Sequence, residues 1–150
     1  MSQYLDNFVP ELPIWSEVET GTSGWSVMSC RYLQSTMYLY RPPGNGDFST
    51  FPAYNESAHE LTSFLLNLPQ SCAGNIMLHR ERMNLRTTPW SIMPNGYYYA
   101  KQESVVFIRT KPLYYLIPWW KFLPIGCFDL SGDNLSPEVA EELIEYVCTR

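Results

Sequence analysis

The chain has 150 residues, with 10 Lys and Arg against 15 Asp and Glu and a formal net charge of −5. That length suits a single domain, one that buries roughly 68–70% of its unfolded surface on folding. Charged residues at 17% and aromatics at 15% oppose the bias of a disordered chain, and a pI near 4.9 lies far from the pI above about 9 usual for a nucleic-acid-binding domain.

In chain order, residues 1–20 carry Pro10 and Pro13 and no clear period, and read as an irregular arm. Trp25–Leu33 and Ser35–Arg41 read as two strands. In the second, Met37 and Leu39 alternate with Tyr38 and Tyr40 in the period-2 manner of a strand. Pro42-Pro43-Gly44-Asn45-Gly46-Asp47 is a turn or loop. Ser57-Ala58-His59-Glu60 has the form of a capping box and predicts a helix over about 57–68. Leu61, Phe64, Leu65 and Leu68 give that helix one apolar face, and Pro69 ends it.

Asn75–Met83 and Trp90–Met93 are the next predicted strands. Asn95-Gly96, before Tyr97-Tyr98-Tyr99, signals a hairpin in which both central residues tolerate positive φ. Ser104–Thr110, centred on Val-Val-Phe-Ile, is the clearest strand. Leu113–Ile117 and Trp119–Leu123 read as short strands separated by Pro118, and Gly126–Leu130 as one more. The last helix, about 136–148, is capped by Asp133 or Ser136, with Pro137 at its first position. Val139, Ala140, Leu143, Ile144 and Val147 make its apolar stripe. Glu138, Glu141, Glu142 and Glu145 make the opposite face. Strands do not alternate with helices, so the fold class is α+β: a mainly antiparallel sheet of about six to eight short strands with two helices.

Charge is sorted along the chain into three blocks. Residues 1–60 hold a net −5, residues 61–128 a net +5 and residues 129–150 a net −5. The middle block interleaves cations with aromatics, as a single-strand nucleic-acid surface would. Half of a strand's side chains face each way, however, so its +5 cannot form one patch. The simpler expectation is that basic strands meet acidic segments inside the fold.

Within the basic block, Arg80, Arg82 and Arg86 form a candidate anion-binding fork. On one strand, His79 and Glu81 would share a face and could serve as a base and its orienter, an enzymatic alternative. Cys30, Cys72, Cys127 and Cys148 are far apart, with no C-x-x-C pair. They read as buried thiols in a reducing, cytoplasmic setting. Two histidines without ligand spacing predict neither a metal nor another cofactor. No run is long and apolar enough for a transmembrane helix; the most apolar, Leu113–Gly126, is broken by prolines and a lysine.

No nucleophile, phosphate-loop or paired-carboxylate motif is legible. The composition instead points to a small acidic interaction protein that binds and inhibits or neutralises a protein partner of basic character. Its expected contact residues are Glu138, Glu141, Glu142 and Glu145, with the aromatic pair Trp119 and Trp120. Nucleic-acid or nucleotide binding on a basic, aromatic sheet face is the alternative.

Overall fold

The computed structural model describes residues 12–33, 35–44, 46–51, 55–85, 88–110 and 128–150. The expected strands Leu113–Ile117 and Trp119–Leu123, most of the arm, and Arg86, Trp119 and Trp120 lie outside that set. The fold is α+β, and the strands among these residues pair antiparallel in two five-stranded sheets.

The first sheet is built on the hairpin β3 (Ser26–Tyr32) and β4 (Ser35–Arg41). β5 (Ser49–Phe51) pairs with β4. Two short strands from the expected arm, β1 (Ile14–Trp15) and β2 (Glu19–Thr20), both pair with β3. The arm is thus partly sheet, recruited by backbone groups of β3 that β4 leaves unpaired. Two-residue pairings of this kind have no sequence period to announce them.

α1 (Asn55–Leu66) follows, then α2 (Gln70–Ala73), a single turn that starts after Pro69. Leu61, Phe64, Leu65 and Leu68 are all buried, as their spacing requires, and each contributes roughly 1.5–3 kcal/mol by leaving water. Because α1 begins at Asn55, Ser57 sits within its first turn rather than at its cap. Glu60, the expected partner of Ser57, accepts instead from the Tyr97 hydroxyl. The helix's far end is closed by an unanticipated contact. Ser23 donates its N–H to Leu66 O and its hydroxyl to Leu65 O (2.6 Å). These groups satisfy carbonyls that a helix end leaves without internal partners.

The second sheet runs β6 (Ile76–His79), β10 (Asp129–Gly132), β9 (Val105–Arg109), β8 (Tyr98–Gln102) and β7 (Ser91–Ile92) in spatial order. β7 and β8 form the expected hairpin, with a three-residue loop. Gly96 N–H donates to Met93 O (2.9 Å) and Met93 N–H to Tyr97 O (2.7 Å), and of the two predicted turn residues only Gly96 has positive φ (89°). Asn95 is selected for another reason. Its amide donates to Val147 O (2.6 Å) and Arg150 O (3.1 Å), tying the hairpin to the end of the last helix.

That helix, α3 (Pro137–Cys148), has Ser136 as its cap, whose hydroxyl accepts from Val139 N–H (3.3 Å). Ala140, Leu143 and Val147 are buried. One hydrophobic cluster links both sheets to the helices. Tyr40 reaches from β4 to Ala58 O and Thr62 Oγ1 of α1. Tyr146 reaches from α3 to Phe64 O, and the Phe64 ring packs edge-on to Phe128 at 6.1 Å.

Candidate functional site

Across four adjacent strands of the second sheet, register sets His79, Asp129, Arg109 and Tyr98 in one row. Neighbours in such a row stand close enough for their side chains to interact. Arg109 Nε donates to Asp129 Oδ1 and Nη2 to Oδ2, both at 2.8 Å. Asp129 Oδ2 also accepts from Met83 N–H (2.7 Å), and Arg109 Nη2 donates to Met83 O (2.6 Å). The guanidinium carbon lies 4.8 Å from the centre of the Trp90 ring, within cation–π range. This fork holds the chain around Met83 against the sheet, with Asp129 only 2% exposed.

The same fork explains why β6 ends at His79 rather than at Met83. Once Met83 is drawn onto Asp129 and Arg109, residues 80–82 bend out of the ladder. The alternation that was to place Glu81 beside His79 therefore stops short, and Glu81 is exposed in the bend. His79 Nε2 instead meets Ser131 Oγ at 3.0 Å. A Ser–His contact suits nucleophilic chemistry only where substrate can reach the hydroxyl, and Ser131 is 3% exposed within a central strand. Burial pushes the Cys72 thiol up to about 11, assisted by the charge of Glu142; this is opposite to the direction that activates a cysteine. Among the described residues, no buried side-chain N or O lacks a partner, and no group of three His, Cys, Asp or Glu is placed to hold a metal.

The arginine fork expected at Arg80, Arg82 and Arg86 is divided. Arg80 turns to β5, where its Nε donates to Thr50 O (3.1 Å) and its Nη2 to Thr50 Oγ1. Arg82 is exposed in the bend. Two other cations of the basic block meet acids within the fold: Arg109 with Asp129, and Lys101 with Glu141 at 2.9 Å. Glu138, Glu141, Glu142 and Glu145 are all exposed on α3. Glu141 faces Lys101 and Glu142 accepts from the Ser71 hydroxyl (2.9 Å), so half of that stripe makes contacts inside the chain.

A further feature is the outer face of the first sheet. Val27 and Tyr40, paired in register, point into the core. Alternation sends Met28, Cys30 and Tyr32 of β3, with Met37 and Leu39 of β4, to the other side, where Cys30 and Leu39 are buried and Tyr32 and Met37 exposed. Trp15, Cys30 and Met37 are matched across three strands in one row. Trp15 is 56% exposed, Met37 49% and Tyr32 43%. Leu33, at the hairpin tip, is 56% exposed and held at φ 58°, where a leucine is strained. Of the nine large hydrophobics exposed among the described residues, seven lie between Leu12 and Met37. The signal was present in the sequence: Met28, Cys30 and Tyr32 of β3 and Met37 and Leu39 of β4 recur with period 2 on the face opposite Val27 and Tyr40.

Comparison with protein-family models, with curated proteins and with solved structures finds no match. The geometry alone therefore bears on function. Among the described residues, no helix is long and apolar enough to cross a membrane.

Proposed function

We propose that this chain is a small interaction protein that binds a protein partner and, by occupying it, inhibits or neutralises it. The observation that carries this reading is the exposed apolar row of Trp15 and Met37 with Tyr32 and Leu33 beside it. Exposed apolar side chains with aromatic anchors are enriched at the cores of protein interfaces. Glu17 and Glu19 are exposed in the same N-terminal segment as Trp15, and Glu138 and Glu145 are exposed on α3. These acids suit a basic partner, to which they add association rate and discrimination more than affinity. The nucleic-acid reading draws less support, since Lys101 and Arg109 are engaged by Glu141 and Asp129.

Paired captures from native extract test the reading, with the wild-type chain on one resin and the Trp15→Ser/Met37→Lys variant on the other. A stoichiometric protein held by the wild type and lost by the variant is the expected outcome. A partner retained equally by both would overturn the assignment of the face. Recovery of nucleic acid in place of protein would favour the alternative.

A further inference from the structure

A second surface lies where the two sheets approach each other. β5 ends the first sheet and β6 ends the second. Among the described residues, β6 pairs only with β10 and β5 only with β4. Between them is a cavity of about 440 Å³. Ile76, Met77 and Leu78 all line it, as do Ser49 and Thr50. Successive side chains of a strand point to opposite faces, so a cavity lined by three consecutive residues runs along the strand's edge. That edge carries the backbone N–H and C=O groups that β10 does not use.

The polar character of the gap is visible on its other wall, where Thr50 O accepts from Arg80 Nε across it. Trp25 and Tyr40, both nearly fully buried, are among the residues that border it. Arg80 is the one ionised side chain among the described lining residues. Two of its nitrogens are engaged by Thr50; a guanidinium has five N–H donors, so others remain for a carboxylate. Arg82 is exposed two residues further on.

We propose that this cleft takes an extended segment of a partner protein, added as a strand to the edge of β6. An apolar side chain of that segment enters the cavity beside Trp25 and Tyr40, and an acidic residue of the same segment meets Arg80. Strand addition draws affinity from main-chain hydrogen bonds and specificity from pockets for alternate side chains. An edge with no second partner among the described strands, an adjoining cavity and a cation at its end supply those three parts. The proposal goes beyond the apolar outer face and stands on different residues.

The test uses a fluorescein-labelled hexapeptide of alternating Thr and Val with a central Phe and a terminal Asp. Two controls accompany it: the same peptide ending in Lys, and one with Pro in place of each Val, which cannot donate to a ladder. Fluorescence anisotropy with the full chain should show saturable binding of the Asp peptide, at least tenfold weaker binding of the Lys peptide and none of the Pro peptide. Bound peptide should slow amide exchange within residues 76–79. The Arg80→Glu variant, checked for an unchanged circular-dichroism melt, should reverse the preference between Asp and Lys. Trp15→Ser/Met37→Lys should bind the peptide as the wild type does, which separates this site from the outer face. Absence of saturable binding by the Asp peptide, or equal binding of the Pro peptide, would overturn the proposal. The peptide comparison decides the matter even if the Arg80 variant fails to fold.

Discussion

Replacing Asp129 by Ala should be among the most damaging single substitutions in the second sheet. Asp129 is 2% exposed and accepts three hydrogen bonds, two from Arg109 and one from Met83 N–H, all between 2.7 and 2.8 Å. Its loss takes both carboxylate bonds from the Arg109 guanidinium, whose side chain is only 17% exposed. Breaking one partner of a buried ion pair typically costs about 3–5 kcal/mol, most of it the stranded charge rather than the lost attraction. A domain of this size has a total stability of roughly 5–15 kcal/mol, so the change removes a substantial share of it. The double variant Asp129→Leu/Arg109→Met should cost clearly less than the two single changes added together, because no charge is then stranded. Urea unfolding followed by tryptophan fluorescence measures all four species, and Trp90, under Arg109 at 4.8 Å, reports on the site itself. A cost for Asp129→Ala below about 1 kcal/mol, or strict additivity in the cycle, would refute the idea that this fork fastens the bend at 80–83 to the sheet.

Gly21→Ala should cost roughly 3 kcal/mol or more, since its Cβ would lie 2.3 Å from Leu66 O, a backbone atom at the closed end of α1; a melting temperature within a degree or two of wild type would contradict the contact. Leu33→Gly should stabilise by up to about 1 kcal/mol, relieving the left-handed strain at φ 58°, and should weaken partner capture at the same time; a fall in stability would show that the leucine is held by packing. Stability should decline as pH rises beyond about 9, because Cys72 and Tyr40 keep their protons in the fold up to about 11 and about 12, burial being the main cause in each. The unfolded chain releases those protons at lower pH, so the contribution is complete below the unfolded values and lost as pH climbs through the folded ones. At about 1.36 kcal/mol per unit, each group accounts for roughly 2–3 kcal/mol. Urea midpoints should therefore fall across the alkaline range, and Cys72→Ala should delay the onset; midpoints flat from pH 9 to 11 would exclude the effect.

Much of the fold was legible because it rests on local periodicity. The stripe Leu61, Phe64, Leu65 and Leu68, the Ser136-Pro137 start of α3 and the Ser35–Arg41 strand each express a choice made within a dozen residues. The bend after His79 was not legible, because the force that makes it comes from Asp129 and Arg109, distant in sequence. The division of the strands between two sheets was hidden for the same reason. Alternation tells which residues share a face but not which strand lies beside which.

For the candidate sites the balance differs. Sequence alone determined that the acids of α3 face solvent, because a helix with one apolar stripe must turn its other side to water. It also determined that the +5 of the middle block could not form one surface. Tertiary structure decided where those charges went: Lys101 to Glu141, Arg109 to Asp129 and Arg80 across the gap to Thr50. It also decided that Val27 and Tyr40 of the β3–β4 hairpin join the core while Tyr32 and Met37, with Trp15 beside them, stay exposed. Alternation tells which residues of the hairpin share a face, but only the position of α1 determines which face joins the core.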